Sequence, residues 1–311
     1  MAARAVNGPD DISELQRLAS RLWPTGWHPG GLGWALARGR LAEEVVVFEG
    51  KNGVLGWAAR SGVHEPGELL AQADPSHPEI AEAIVEWLMA MPPATRLSID
   101  VYDGDTTLAG ALRRAGFEPQ ADACVFGIFR AAQGVQGPTP AGYTIRATRA
   151  DELDSRVAVH RAAWKPAAQP WADGRLVDPL AESPFNRAEY AAVRNAWLYA
   201  PEFDLVAVGP DHALAGCCIA WFDPAIGVAE IEPLGVVPEY RRTGLAVAMC
   251  HEVAARVSAA GGNSVFINTG PRPEYPAPSA AYAKAGFEAV ARATTYIRTS
   301  DAPDRSVSRA L

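Results

Sequence analysis

The chain has 311 residues, of which 49% are hydrophobic and 21% charged, with a formal net charge of −8. That length exceeds what one ordinary core organises and predicts two domains. The acidic balance argues against nucleic-acid or anionic-membrane binding, both of which need a basic face. The N-terminal "MAARAVNGPDD" has no apolar leader-like run, and no stretch of about 18 apolar residues follows it. A soluble, cytoplasmic protein is expected.

In chain order, "DDISELQRLASRLW" predicts a capped amphipathic helix. "EVVVFEG" and "GVLGWAARSG" predict a hairpin across Lys51–Asn52, and "GELLAQAD" a short strand. Then come a helix over "HPEIAEAIVEWLMAM", a strand over "RLSIDVY", a helix over "TLAGALRRAGF" and a strand over "CVFGIFR". The stretch "RAAQGVQGPTPAGY" is rich in Gly, Pro and Gln and predicts a linker, placed at 132–142. The second half repeats the plan. It has a strand at "YTIRAT", a helix at "ADELDSRVAVHRAAW" and a hairpin "FDLVAVG"/"ALAGCCIAWFD" across Pro210–Asp211–His212. A strand at "VAEIEPLGVV" leads into a long helix from "RRTGLAVAM" onward, and "SVFINTG", "APSAAYAKAGF" and "TTYIRT" close the unit. Echoes such as "RRAGFE" at 113–118 and "AKAGFE" at 283–288 keep a steady spacing, which means duplicated domains rather than a solenoid. The expected domains are 1–131 and 143–299, with a flexible tail at 300–311 and an α/β fold throughout.

The chemistry concentrates at one corner. In "VVPEYRRTGLA" a strand ends at Pro238, and two arginines and a glycine precede an alanine-rich helix. A helix N-terminus leaves about four backbone N–H groups unpaired, at the positive end of the macrodipole. Gly244 permits close approach of a ligand, and Arg241 and Arg242 add fixed charge. Together these suit a di-anion such as a pyrophosphate; the plainer alternative is an ordinary helix start with two solvated arginines. The adjacent Cys217 and Cys218, and Cys124 and Cys250, read as small buried hydrophobes, since none forms a C-x-x-C pair. His160, His212 and His251 have no metal spacing, so no metal is expected. "GGLG" at 30–33 is a lone glycine cluster and not a phosphate loop, and no G-x-S-x-G occurs.

Arg241, Arg242, Thr243, Gly244, Leu245 and Ala246 resemble the [Q/R]-x-x-G-x-[G/A] loop of the GCN5-related N-acetyltransferases (GNAT). "AAYAKAGFE", with Tyr282, Gly286 and Phe287, resembles the family's Y-x-x-x-G-F signature. The resemblance covers about 145–298 with these motifs, and 1–130 in element order and the "AGF" echo alone. It implies two tandem GNAT-like domains, each a mixed twisted sheet flanked by helices, with a degenerate first copy. Pro78 falls where Arg241 stands, Ala81 where Gly244 stands and Leu112 where Tyr282 stands, so the first copy lacks both the cradle and the hydroxyl. The resemblance further implies acetyl-CoA as co-substrate. Its pantetheine arm would lie along Leu234, Gly235 and Val236, and its pyrophosphate on the N–H groups of Arg241 through Val247. Acetyl would pass directly to the amine of a small molecule. Tyr282 would protonate the leaving thiolate, with a core aromatic as the alternative.

For the base, Glu230 and Glu232 share a strand face. Counting back from the loop favours Glu230. Proximity to the thioester, and the ladder gap at Pro233, favours Glu232. The family's asparagine position is Tyr275 here, with Asn268 as another substitute. Residues 160–190 would shape the acceptor side, with Trp164, Trp171, Trp197 and Trp221 as candidate pocket walls and Asp173, Asp178 and Glu182 as candidate attractors of a cationic amine. Two other readings stay open: a non-catalytic acyl-CoA-binding sensor or structural module, and a mycothiol-synthase-like acetyltransferase. Oligomerisation is possible but not indicated.

Overall fold

A computed structural model describes residues 3–299 apart from 40, 42–43, 52, 62–66, 91–95, 121–123, 132–136 and 270–273. Residues 132–136 of the expected linker and all of the expected tail therefore lie outside the described residues. The elements run β1 (Ala3–Ala5), α1 (Pro9–Leu22), α2 (Pro29–Ala37), β2 (Glu44–Gly50), β3 (Gly53–Ser61), β4 (Glu68–Ala73), α3 (Pro78–Ala90), β5 (Arg96–Tyr102), α4 (Thr106–Arg114), β6 (Glu118–Pro119) and β7 (Cys124–Ala131). They continue β8 (Thr144–Ala147), α5 (Leu153–Ala163), α6 (Arg187–Arg194), β9 (Asp204–Val208), β10 (Leu214–Asp223), β11 (Val228–Val236), α7 (Leu245–Ala259), β12 (Ser264–Asn268), α8 (Ala277–Lys284) and β13 (Glu288–Thr299). Among the described residues no helix is long and apolar enough to cross a membrane.

The protein is α/β, with two mixed sheets flanked by helices, as the alternation of strand and helix patterns predicts. Two compact units form, and they do not follow the halves of the chain. The first takes Met1–Trp27, Gly39–Cys124 and Arg292–Leu311; the second takes His28–Arg38 and Val125–Ala291. In the first unit β1, β2, β3 and β4 pair antiparallel in sequence, β4 runs parallel to β5, and β5 pairs antiparallel with β13. In the second, β8, β9, β10 and β11 pair antiparallel, β11 runs parallel to β12, and β12 pairs antiparallel with β7. The two plans are the same, and the last strand of each sheet comes from the other half of the chain.

Helical period explains which faces are buried. On α3, Ile80, Ala81, Ile84, Val85 and Leu88 fall on one side and join Val46, Phe48, Ile99, Leu108 and Leu112 in the first core. On α7, Leu245, Met249, Cys250, Val253, Ala254 and Val257 do the same against Ala220, Ile231, Val265 and Ile267. Each fully buried aliphatic side chain of this kind contributes about 1.5–3 kcal/mol. Cys217, Cys218 and Cys250 are buried free thiols.

Helix α2 is an element that sequence patterning does not predict. Its sequence, PGGLGWALA, carries three glycines and sits almost wholly inside the second unit. A β-carbon on Gly30 would stand 2.3 Å from Trp221 Cβ, and one on Gly31 would stand 2.8 Å from the Glu230 carboxylate. The glycines thus let helix backbone lie directly on β10 and β11.

Candidate functional site

The site begins with a strand that loses its neighbour. β11 pairs with β12 only from Val228 to Glu230, opposite Ser264 to Phe266. Against β10 the register steps from Ala220↔Ile231 to Cys218↔Leu234, so Glu232 and Pro233 together face Ile219. Proline supplies no N–H, and this bulge sits where the ladder would need one. Past it, Leu234, Gly235 and Val236 line a cleft of about 590 Å³. Gly235 is required there, because a β-carbon would stand 2.2 Å from the Trp164 ring that covers it.

The loop after β11 makes a 3-10 turn at Pro238–Tyr240, and α7 then starts at Leu245 rather than at Arg241. Arg242 has φ 67° and Gly244 φ 90°, both left-handed. Gly244 is the N-cap and offers no side chain to the first turn. Successive N–H groups around left-handed residues form a concave donor nest, here at the positive end of a 15-residue helix. Arg241, Arg242, Gly244, Leu245, Ala246 and Val247 all line the cleft. Thr243 is not among the cleft walls, and its hydroxyl donates to the Tyr240 carbonyl at 2.8 Å. The two arginines differ. Arg242 is exposed. Arg241 turns inward, its Nε donating to Val236 O at 3.0 Å and Nη2 to Ala163 O at 3.1 Å, with Nη1 donating to Ala168 O. Its guanidinium is a tie between loop and neighbouring chain, not a free charge.

Tyr282 projects from α8 into the same cleft. Burial, reinforced by Cys250, Glu232, Tyr275 and Cys218, holds its phenol well above the usual tyrosine range, so it keeps its proton. Glu232 is half-buried. Burial first and the Glu230 charge second raise it to about 8, against the opposing pull of Arg38. Trp221 Nε1 fixes its backbone by donating to Glu232 O at 2.6 Å.

Glu230 is only 3% exposed. Its carboxylate accepts the Gly31 N–H at 2.5 Å and lies 3.2 Å from His28 Nδ1, which itself accepts the Gly30 N–H at 3.0 Å. A carboxylate at the N-terminus of α2 is where the helix dipole favours one. Glu230 and Glu232 share a strand but not an environment: one is enclosed and bonded, the other borders solvent. His28 and α2 had no sequence signal beyond Pro29 as a helix start.

Residues 160–190 divide similarly. Trp164 borders the cleft and stacks on His160, with centroids 4.3 Å apart. His160 also packs on Phe185 and Trp34. Burial among these rings, with Arg156 and Arg38 nearby, depresses it to about 2, so it is neutral. Trp221 is fully buried and Trp171 tilts against Tyr275. Of the acidic candidates, Asp173 pairs with Arg175 at 2.6 Å and Glu182 with Lys165 at 3.3 Å, whereas Asp178 accepts the Leu180 N–H at 2.8 Å. Among the described residues no cluster of His, Cys, Asp and Glu is arranged to hold a metal ion.

Known proteins share this fold. Residues 168–287 match the model of the acetyltransferase (GNAT) family. A GCN5-related N-acetyltransferase from Sphaerobacter thermophilus superposes with TM-score 0.53 at 20% identity, covering 96% of this chain and 95% of that one. An acetyltransferase of the GNAT family from Colwellia psychrerythraea superposes with TM-score 0.58 at 12% identity, covering 96% and 99%. The glucosamine N-acetyltransferase region of a fungal multi-domain β-N-acetylglucosaminidase gives TM-score 0.52 at 10% identity, covering 96% of this chain and 38% of that one. At these identities the structural likeness is one of fold. No curated protein matches the chain.

Proposed function

We infer that the chain is a member of the acetyltransferase (GNAT) family, whose model matches residues 168–287, and we read it as an N-acetyltransferase that moves acetyl from acetyl-CoA to the amine of a small molecule. One observation carries the reading. A single cleft joins an unpaired strand edge at Leu234–Val236, an uncapped helix N-terminus at Gly244 and the hydroxyl of Tyr282. An extended arm ending in a diphosphate matches that donor set, since the strand edge offers peptide groups and the helix end offers N–H groups and positive potential. Acetyl-CoA would supply an activated thioester. The backbone of Leu234–Val236 would hold its arm, the N–H groups from Arg242 to Val247 its diphosphate, and the exposed Arg242 would add charge.

Tyr282 would give its retained proton to the departing sulfur, and Glu232 would take the proton of the amine. Glu230 is assigned the anchoring of α2, because its carboxylate is enclosed and bonded. A carboxylate raised to about 8 accepts a proton effectively at mildly alkaline pH.

Acetyl-CoA consumption over amine classes tests this reading: amino acids, aminoglycosides, polyamines, cysteinyl sugars and peptide N-termini. Turnover with one class, lost in Tyr282→Phe, is the expected result. Cofactor binding without turnover on any class would reassign the chain as an acyl-CoA-binding module.

A further inference from the structure

Arg241, Gln169 and Tyr275 form a continuous set of bonds around the mouth of the cleft. The segment after α5 begins at Trp164, makes a 3-10 turn at Pro166–Ala168 and continues past Gln169 and Pro170, which line the cleft. Arg241 fastens its start to the loop at Ala163 O and Ala168 O. Gln169 folds back on the same segment, its Nε2 donating to Ala163 O at 2.9 Å and Lys165 O at 3.1 Å. Those two carbonyls fix the amide orientation, because only the nitrogen donates. Gln169 Oε1 must then face the other way, and there it accepts from the Tyr275 hydroxyl at 2.9 Å.

Tyr275 stands just before α8, which also lines the cleft, with Ala277, Ala280, Ala281 and Tyr282 among its walls. The bond therefore joins two elements of the cleft lining, the segment after α5 and the start of α8. The Ala172 N–H, donating to Glu274 O at 2.8 Å, and the Trp171–Tyr275 ring contact at 4.9 Å lie beside it.

We propose that Gln169 and Tyr275 are positioning residues for acyl-CoA: their hydrogen bond bridges these two elements of the lining, and the cofactor enters and leaves only when it breaks. This rests on the reading of the cleft as an acyl-CoA site. The weak point of the ring is defined by its bonds. Arg241 holds the strap to the loop through two charge-assisted bonds, to Ala163 O and Ala168 O, whereas the α8 side is joined to the strap by one neutral side-chain bond, one backbone bond and a ring contact. Opening therefore occurs between Gln169 and Tyr275, and the strap stays with Arg241. Entry and exit cross the same bridge, so it slows both.

Stopped-flow binding of CoA and acetyl-CoA, followed by tryptophan fluorescence from Trp164 and Trp171, tests the bridge in the full chain. Tyr275→Phe deletes one hydroxyl and leaves the ring packing in place. Association and dissociation rates should both rise roughly 3- to 10-fold, the range of one lost hydrogen bond, with Kd changed less than about twofold. Gln169→Ala should behave alike, and the double variant should be no faster than either single one, because both remove the same bond. An unchanged association rate in folded Tyr275→Phe and Gln169→Ala overturns the bridge. If the wild type binds neither CoA nor acetyl-CoA, the cofactor reading itself has failed, and the bridge falls with it.

Discussion

The corner after β4 and the corner after β11 occupy the same place in the same sheet plan, yet they present opposite chemistry. In both units the parallel pairing stops early: β4 meets β5 only at Glu68 and Leu69, and β11 meets β12 only up to Glu230. Both strands then run on toward a helix. After β11 the turn is left-handed at Arg242 and Gly244 and leaves its donors facing a cleft. After β4 the turn is closed on itself. Asp74 accepts the Ser76 N–H at 3.0 Å through its side chain and the His77 N–H at 2.9 Å through its carbonyl, and the His77 carbonyl accepts from Ile80 N at 2.9 Å. Pro78 removes a further donor, and Asp74 and Glu79 bring negative charge to the helix start. Leu112, at the place of Tyr282, is wholly buried in the core. The sheet plan survives the loss of the site because packing and site chemistry rest on different residues. We propose that the first unit is a degenerate copy without cofactor binding.

The largest expected effect follows from the left-handed glycine. Gly244→Val places a branched side chain at φ 90° and in the donor nest, and calorimetry should show acetyl-CoA affinity falling roughly 100-fold or more. Ser76→Ala, at the matching corner of the first unit, should leave affinity unchanged; a loss there would break the comparison. Tyr282→Phe should lower kcat by roughly 10- to 1000-fold with acetyl-CoA affinity retained.

The two glutamates separate by pH. A carboxyl raised to about 8 is ionised, and so able to act as base, only as pH rises through that value. The acidic limb of kcat/KM should therefore lie near 8 in the wild type and flatten in Glu232→Gln. Removing the neighbouring negative charge lowers the proton affinity of Glu232, so Glu230→Gln should keep activity and move the limb to lower pH. Abolished activity in Glu230→Gln with a normal Glu232→Gln profile would reverse the assignment.

The smallest effects divide the arginines. Arg241→Lys cannot reproduce a fork to three carbonyls. It should weaken acetyl-CoA binding up to about tenfold at any salt concentration. Arg242→Ala should weaken it about threefold at low salt and less at high salt, as screening of an exposed charge requires.

The motifs at 241–246 and 282–287 and the alternation of strands and helices made the second unit's fold and cleft legible from residue order. The Pro233 argument expected a gap in the ladder, and the register shift between Cys218 and Ala220 falls there. Three things were hidden for physical reasons. A glycine-rich PGGLGWALA has poor helix propensity, and α2 exists because β10 and β11 need backbone against them. The partners of β7 and β13 are not encoded in their own alternation, so the crossing of strands between units cannot be read from either. Residue type gives Arg241 its charge but not its direction, which is set by carbonyls at Val236, Ala163 and Ala168. Helix α6 did carry a signal. Asn186 caps Ala188 and Glu189 by accepting both N–H groups, with an acid three residues on, a start pattern easily overlooked in a proline-rich stretch.

The central claim is that two copies of one sheet plan hold one cofactor site. Isothermal titration of the full chain with acetyl-CoA measures it most directly. The account predicts one site per chain, removed by Gly244→Val. Two equivalent sites, or one site that survives Gly244→Val unchanged, would contradict it.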